Sequence, residues 1–386
     1  MRIRLRSVRP HVHLPRVPWV KVSVWRWLVV LCGVSALVVL PTVIGAIPAG
    51  KSDIAARELL SRITHPHAAG YSGYAESSGG LALPVTRQFG SVADLLGGNT
   101  RMRVWWRGEQ NWRVDTIDLS GETDTQVGPS GTWTWDYESN RATWTEQNTS
   151  VDVRLPAAGD LLPTNLARRL LSQASSDEVS RLPSKRIAGR SVPGLRLRPD
   201  APQSTIDRVD VWADRVTGLA LRVDIYGKGS GKVLTSRFLD FSTRTPPLSD
   251  ADFSPPAGAR IRTQSEPDLI AAIDRFALVA APAQLGGFSR NTAIPVSGAI
   301  GVYGTGVTEF AVVPLPDRVT FSVQEQLKSV ASSTPEGLAM GIGPLSLLLT
   351  TPDQNGLSWL LTGTVTLPAL SAAAKQLPSG TELVGQ

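Results

Sequence analysis

Val211-Trp212-Ala213-Asp214-Arg215-Val216-Thr217-Gly218-Leu219-Ala220-Leu221-Arg222-Val223-Asp224-Ile225 is the stretch whose reading decides the fold. In an extended chain Leu219, Leu221, Val223 and Ile225 share one face, while Arg222 and Asp224 share the other. A period of two marks a half-buried strand. Ile206 to Ala213 has the same character, and Asp214 to Gly218 supplies the turn between the two.

Working outward, Tyr71 to Glu76, Leu81 to Phe89, Arg101 to Arg107, Trp112 to Leu119, Thr132 to Tyr137 and Ala142 to Glu146 are short strand-like runs. They are punctuated by Gly97-Gly98-Asn99, Gly108-Glu109, Gly121, Gly128-Pro129-Ser130-Gly131 and Ser139-Asn140. Regular turn signals between alternating segments predict an antiparallel meander. Strands resume at 194–198 and 234–241. Two helices interrupt the pattern, over 53–63 and 161–174, because their leucines and isoleucines recur at helical spacing. The fold class is therefore α+β. Proline-rich 243–258 closes a first domain spanning 53–260, a linker with a possible helix occupies 261–281, and 282–386 reads as a smaller α+β domain with helices at 317–330 and 369–377.

The N-terminus sets the compartment. Seven basic residues (Arg2, Arg4, Arg6, Arg9, Arg16, Lys21, Arg26) form a tail over 1–26, and 27–50 carries no charged side chain. Such a run is long enough to cross a bilayer's hydrocarbon core, and the basic flank resists translocation. A cleaved signal peptide has a shorter apolar region and a small-residue exit that Gly45-Ala46-Ile47-Pro48-Ala49 lacks. The expectation is a single-pass anchor in the cytoplasmic membrane, with the tail inside and the bulk of the chain outside. Taking the seven from 39 basic residues leaves 32 against 33 acidic ones, so the rest of the chain is near neutral and does not suit nucleic acid. Cys32 is the single cysteine, which excludes disulfides and thiolate metal sites from the exported part.

Catalytic groups are sparse. Of the four histidines, His11 and His13 lie in the basic tail; those beyond the anchor are His65 and His67, separated by Pro66, and no Gly-x-Ser-x-Gly elbow accompanies them. They read as a helix stop. The stretch Gly227-Lys-Gly-Ser-Gly-Lys232 lacks the spacing and the Ser/Thr of a phosphate loop and reads as a hairpin. No enzyme activity, cofactor or metal is expected. The tryptophans Trp105, Trp106, Trp112, Trp133, Trp135 and Trp144 crowd the meander; alternation puts Trp133 and Trp135 on one face and sets Trp105 opposite Trp106. They either fill a core as cross-strand pairs or line a concave apolar pocket. Trp105, Trp133, Trp135, Leu219, Leu221, Val223 and Ile225 are thus the candidates for core or cavity lining.

Val211 to Val223 resembles the strand–turn–strand signature Trp-x-Asp-x-x-Thr-Gly-Leu-x-Leu-Arg of the LolA-like lipoprotein-carrier superfamily. Arg103-Val-Trp-Trp-Arg107 with Trp112-Arg-Val-Asp115, then Thr132-Trp-Thr-Trp-Asp-Tyr137, then Asp252-Phe253-Ser-Pro-Pro-Ala-Gly258 are similar to its further motifs, in order. The resemblance covers about half the chain. It implies a strongly bent antiparallel half-barrel wrapped around helices and holding lipid or lipoprotein acyl chains. The two-domain layout is similar to the sigma-E regulators of the MucB/RseB type, which implies a membrane-bound anti-sigma factor or transport partner.

Overall fold

The computed structural model describes residues 27–35, 49–50, 52–67, 70–81, 95–118, 121–146, 156–176, 178–265, 273, 279–294, 298–352, 357–380 and 382–383. Residues 1–48 form one compact unit and 49–386 another. In the first, residues 27–35 are helical with exposed side chains, while 1–26 and 36–48 lie outside the described residues. No helix among the described residues is long and apolar enough to cross a membrane. The expected anchor therefore lies mostly outside the described part.

The second unit is dominated by a twelve-stranded sheet: β1 (Tyr71–Gly79), β2 (Asn99–Gly108), β3 (Asn111–Ile117), β4 (Glu122–Gly128), β5 (Gly131–Asp136), β6 (Arg141–Glu146), β7 (Val179–Ile187), β8 (Arg190–Leu197), β9 (Ile206–Ala213), β10 (Ala220–Gly227), β11 (Gly231–Ser242) and β12 (Arg260–Ser265). Its spatial order is β12-β6-β5-β4-β3-β2-β1-β11-β10-β9-β8-β7, a large curved sheet. Pairing is antiparallel except where β12 joins β6. Helices α1 (Ala56–Thr64) and α2 (Pro163–Leu171) pack on its inner face. Leu59, Leu60 and Ile63 of α1, and Ala167 and Leu171 of α2, enter one apolar core with Met102, Val104, Val114, Val209, Val211, Leu221 and Val223. Pro163 stands at the first turn of α2, where its missing N–H leaves nothing unpaired.

Three strands have no apolar alternation in sequence, each for a physical reason. In β4 (Glu-Thr-Asp-Thr-Gln-Val-Gly) threonines face inward, and the buried outward residue is a carboxylate, Asp124. In β7, Pro183 falls at a register shift between Leu182 and Lys185. All six residues of β12 are exposed. The first sheet thus runs past residue 260, five residues into the expected linker, and the possible helix there falls on 266–272 and 274–278, which lie outside the described residues.

Beyond α3 (Leu248–Ala251) and the short strands β13 (Val279–Ala280), β14 (Gln284–Leu285) and β15 (Phe288–Ser289) comes a six-stranded sheet. It contains β16 (Gly301–Thr305), β17 (Thr308–Leu315), β18 (Ser332–Thr334), β19 (Gly337–Ile342), β20 (Leu345–Thr350) and β21 (Ser358–Gly363), ordered β16-β17-β21-β20-β19-β18. One face packs Tyr303, Phe310, Trp359 and Leu361 against Leu370 and Ala373 of α5 (Leu367–Gly380). On the other, α4 (Asp317–Leu327) sets Leu327 against Leu315 and Leu349.

The two sheets join tightly. Thr205 N–H donates to Thr364 O (3.0 Å) and Thr366 N–H to Gln203 O (2.8 Å), making a short bridge between 203–205 and 364–366. Just past α2, the Gln173 carbonyl accepts from Asn291 Nδ2 (3.1 Å) and from Gly306 N–H (2.8 Å). Val307 enters the core of the larger sheet.

Candidate functional site

The register of the large sheet divides the sequence candidates between two faces. Leu221, Val223 and Ile225 point inward and are buried in the core with α1 and α2. Trp105, Trp133 and Trp135 point outward: Trp105 pairs with Arg113, Trp133 with Trp144 and Gln126, and Trp135 with Asp124. These two groups cannot line a common cavity, because the sheet lies between them. Alternation alone tells which residues share a face within a strand, but not which face meets the helices.

The outer face has its own cover. Residues 243–258 leave β11 near mid-sheet and cross to the far edge. The Arg107 guanidinium donates to Pro246 O, and the ring of Phe253 lies 5.9 Å from that of Trp133 and 6.1 Å from that of Trp135. Asn140 Nδ2 holds Gly258 O at 3.1 Å, and the chain then enters β12. The proline-rich stretch is thus a strap over β2–β6, and Trp135 is buried beneath it.

On the inner face a recess of about 290 Å³ opens between the end of α1, the start of α2 and the β2–β3 hairpin. Ile63, Tyr71, Trp106, Leu219, Thr164 and Arg168 are among its lining residues. Of the seven sequence candidates, Leu219 lies in its wall. Two of its lining rings stack, Tyr71 on Trp106 at 5.8 Å and 10°, and Trp106 stacks in turn on Trp112, outside the lining, at 5.5 Å and 11°. Cross-strand pairing places them so, with Tyr71 opposite Trp106 and Trp106 opposite Trp112. Tyr71 Oη is 2.7 Å from Thr164 Oγ1, and burial pushes the phenol well above its usual range, so it stays neutral. At the rim Arg168 pairs with Glu109 at 2.7 Å. A wall that sets Ile63, Tyr71, Trp106 and Leu219 beside Thr164, Asn165 and the exposed Arg168–Glu109 pair suits a ligand with an apolar part and a polar end.

The signature around Asp214 serves the frame. Asp214 Oδ1 accepts from Val216 N–H, Thr217 N–H (both 2.9 Å) and Thr217 Oγ1 (3.1 Å). Burial would raise this carboxyl, but those hydrogen bonds and Arg190 outweigh it and hold it below the usual range. Gly218 has φ +78°, and a Cβ there would stand 2.0 Å from Arg62 O, so the turn docks closely on α1. His65 caps α1, with Nδ1 3.0 Å from Thr64 Oγ1, and His67 N–H bonds Thr217 O at 2.9 Å. Both therefore belong to the helix stop. Trp212 is buried on the outer face, donating to Pro183 O (3.0 Å) with Lys185 Nζ 3.5 Å from its ring centroid.

A carboxylate group sits under the strap: Asp115, Glu122 and Asp124 each bring an oxygen within 4.8 Å of the others. Arg113 fills the centre, bonding both oxygens of Asp115 (2.6 and 3.1 Å) and Asp124 Oδ2 (2.8 Å). With its middle taken by a guanidinium, the cluster is poorly built for a metal ion.

No family profile matches the chain, and no curated protein does. Among solved structures it is similar to MucB in complex with the periplasmic part of MucA (14% identity, 86% of this chain and 98% of that one, TM-score 0.47). It is also similar to the Pseudomonas aeruginosa MucA/MucB complex (14%, 86% and 98%, TM-score 0.46) and to a LolA-superfamily protein from Nitrosomonas europaea (12%, 52% and 98%, TM-score 0.23).

Proposed function

We propose that the half-barrel binds an acyl chain of a lipid or lipoprotein on the outer side of the cytoplasmic membrane, tethered there by the N-terminal tail and apolar run. The observation that carries this reading is the recess with Tyr71 and Trp106 stacked in its wall beside Ile63 and Leu219, and the Arg168–Glu109 pair at its rim. Burying an alkyl chain against such a wall contributes about 0.8 kcal/mol per methylene. A fluorescent fatty-acid probe titrated into the protein tests it: the reading expects saturable one-to-one binding that Trp106→Ala weakens and Trp133→Ala leaves alone. Equal loss from both changes would argue against the recess.

A second reading, a regulator of the MucB/RseB type acting on a membrane anti-sigma factor, is favoured by the course of α2. Its first turn gives Thr164 and Asn165 to the recess, and just beyond its last turn Gln173 holds Asn291 and Gly306 of the smaller sheet. A ligand that moves α2 reaches that joint directly. Regulation then requires the partner to bind the loaded and empty forms with different affinity, since equal affinity shifts nothing.

A further inference from the structure

On the outer face the basic and acidic side chains of the sheet are mostly satisfied in pairs: Arg113 with Asp115, Arg196 with Asp210 and Arg222 with Asp224, all at 2.6–3.0 Å. One row differs. Tyr74 in β1 lies opposite Arg103 in β2 and opposite Asp240 in β11, so a guanidinium, a phenol and a carboxylate stand side by side across three strands. Among the described residues the side chains of Tyr74 and Asp240 have no hydrogen bond or ion pair, and Arg103 reaches Glu122 at a loose 3.6 Å. The next row places Trp105 opposite Ser72. The two rows line a shallow groove of about 470 Å³ that includes no strap residue in its lining, with the strap's α3 crossing β2 beside it.

We propose that this groove binds a neutral saccharide, with a sugar ring stacked on Trp105 and its hydroxyls shared between Arg103 and Asp240. The charges decide the class. Arg103 and Asp240 are two strand spacings apart, roughly 10 Å. An anion would meet Asp240, a cation would meet Arg103, and an acyl chain would strip water from both without replacing it. The Arg113 guanidinium lies 5.3 Å from the centroid of the Trp105 ring, on the β3 side, and a sugar's apolar C–H face suits the face of the indole turned away from it, toward Ser72 of β1. The sugar's hydroxyls also donate to a carboxylate and accept from a guanidinium, both charge-assisted bonds. The site is separate from the acyl recess, because the sheet lies between them, and the two readings stand or fall independently.

The full-length protein in detergent is titrated with galactobiose, mannobiose and N,N′-diacetylchitobiose, and with vesicles of a diglycosyl diacylglycerol or of phosphatidylglycerol, following tryptophan fluorescence. At least one neutral disaccharide is expected to bind, with little change as salt is raised, because no net charge is neutralised. Trp105→Ala and Asp240→Asn should each weaken it about tenfold. Trp105→Tyr should restore most of the affinity, and Trp106→Ala on the other face should leave it alone. Asp240 is exposed, so its change keeps the test open if Trp105→Ala fails to fold. Binding to free disaccharides identifies a glycan polymer as source; binding to diglycosyl vesicles alone identifies a glycolipid headgroup. No binding by any of these probes at about 10 mM sugar, where a site with a dissociation constant of about 1 mM is roughly 90% filled, overturns the proposal, as does salt-sensitive preference for phosphatidylglycerol.

Discussion

Asp115 and Asp124 face each other across β3 and β4, both 2% exposed, and share one guanidinium, that of Arg113. Asp124 Oδ1 has no hydrogen-bond partner among the described residues. Burial, then repulsion from Asp115, pushes the Asp124 carboxyl up to about 7, with Arg113 opposing. The folded state therefore holds a proton that the unfolded chain has released. Its contribution is fully present below the unfolded value near 4 and is lost as pH rises to about 7. Thermal stability should fall over that window by an amount of order 1–3 kcal/mol. Asp124→Asn should flatten the slope and raise Tm at pH 8. Melting curves at pH 5 and pH 8 check this, and an unchanged slope in the variant would refute it. Arg113→Ala, which strands two buried carboxylates, should cost about 3–5 kcal/mol at pH 8.

Gly218 is predicted to be intolerant of any side chain. Its φ of +78° and the 2.0 Å approach of a Cβ to Arg62 O act together. Gly218→Ala should destabilise by more than about 1 kcal/mol, whereas the same change at an unstrained glycine position stabilises by roughly 0.4–1 kcal/mol. Chemical denaturation measures it; a loss within a few tenths of a kcal/mol would mean that the turn does not dock on α1 as described.

These two sites show how differently parts of the fold register in sequence. The hairpin of β9 and β10 was legible because its inner face is continuous aliphatic side chain, and Asp214, Thr217 and Gly218 are the residues its turn requires. Strand β4 was not, because its buried outward residue is a carboxylate held by an arginine two strand positions away in β3. Which tryptophans meet the recess was also beyond reach. Trp105 and Trp106 were known to face apart, yet nothing local says which side α1 and α2 cover. That is settled by packing distant in sequence, such as Tyr71 on Thr164. For that reason Trp106 and Trp112, though among the tryptophans that the sequence offers as core or pocket lining, are not among its seven candidates, nor is Tyr71; two adjacent strands each carrying tryptophan at paired positions was the available signal.

The joint at Gln173 offers a test of coupling. Gln173→Ala removes the acceptor of two hydrogen bonds and leaves the Gly306 amide and Asn291 amide unpaired, at a cost of about 1–3 kcal/mol. Hydrogen exchange at Gly306 should quicken in the variant. In the native protein, fatty-acid occupancy should change that exchange rate, and in Gln173→Ala it should not. Occupancy that leaves Gly306 untouched in both would count against the regulator reading.

The proposed tether is checked at the other end of the chain. Protein recovered from membranes should begin at Met1 or Arg2 and remain with the membrane in high salt. A mature sequence starting near Lys51 would instead mark the apolar run as a cleaved leader and restore a freely diffusing carrier.

The central claim, that the recess between α1, α2 and the β2–β3 hairpin holds an acyl chain, is tested most directly by native mass spectrometry of the full chain purified gently from the cells that express it. The account predicts a bound species whose added mass matches an acyl-bearing lipid, displaced one-for-one by added fatty acid and lost in Trp106→Ala but kept in Trp133→Ala. A native protein that carries no lipid under these conditions, and takes up no fatty acid when it is supplied, would contradict it.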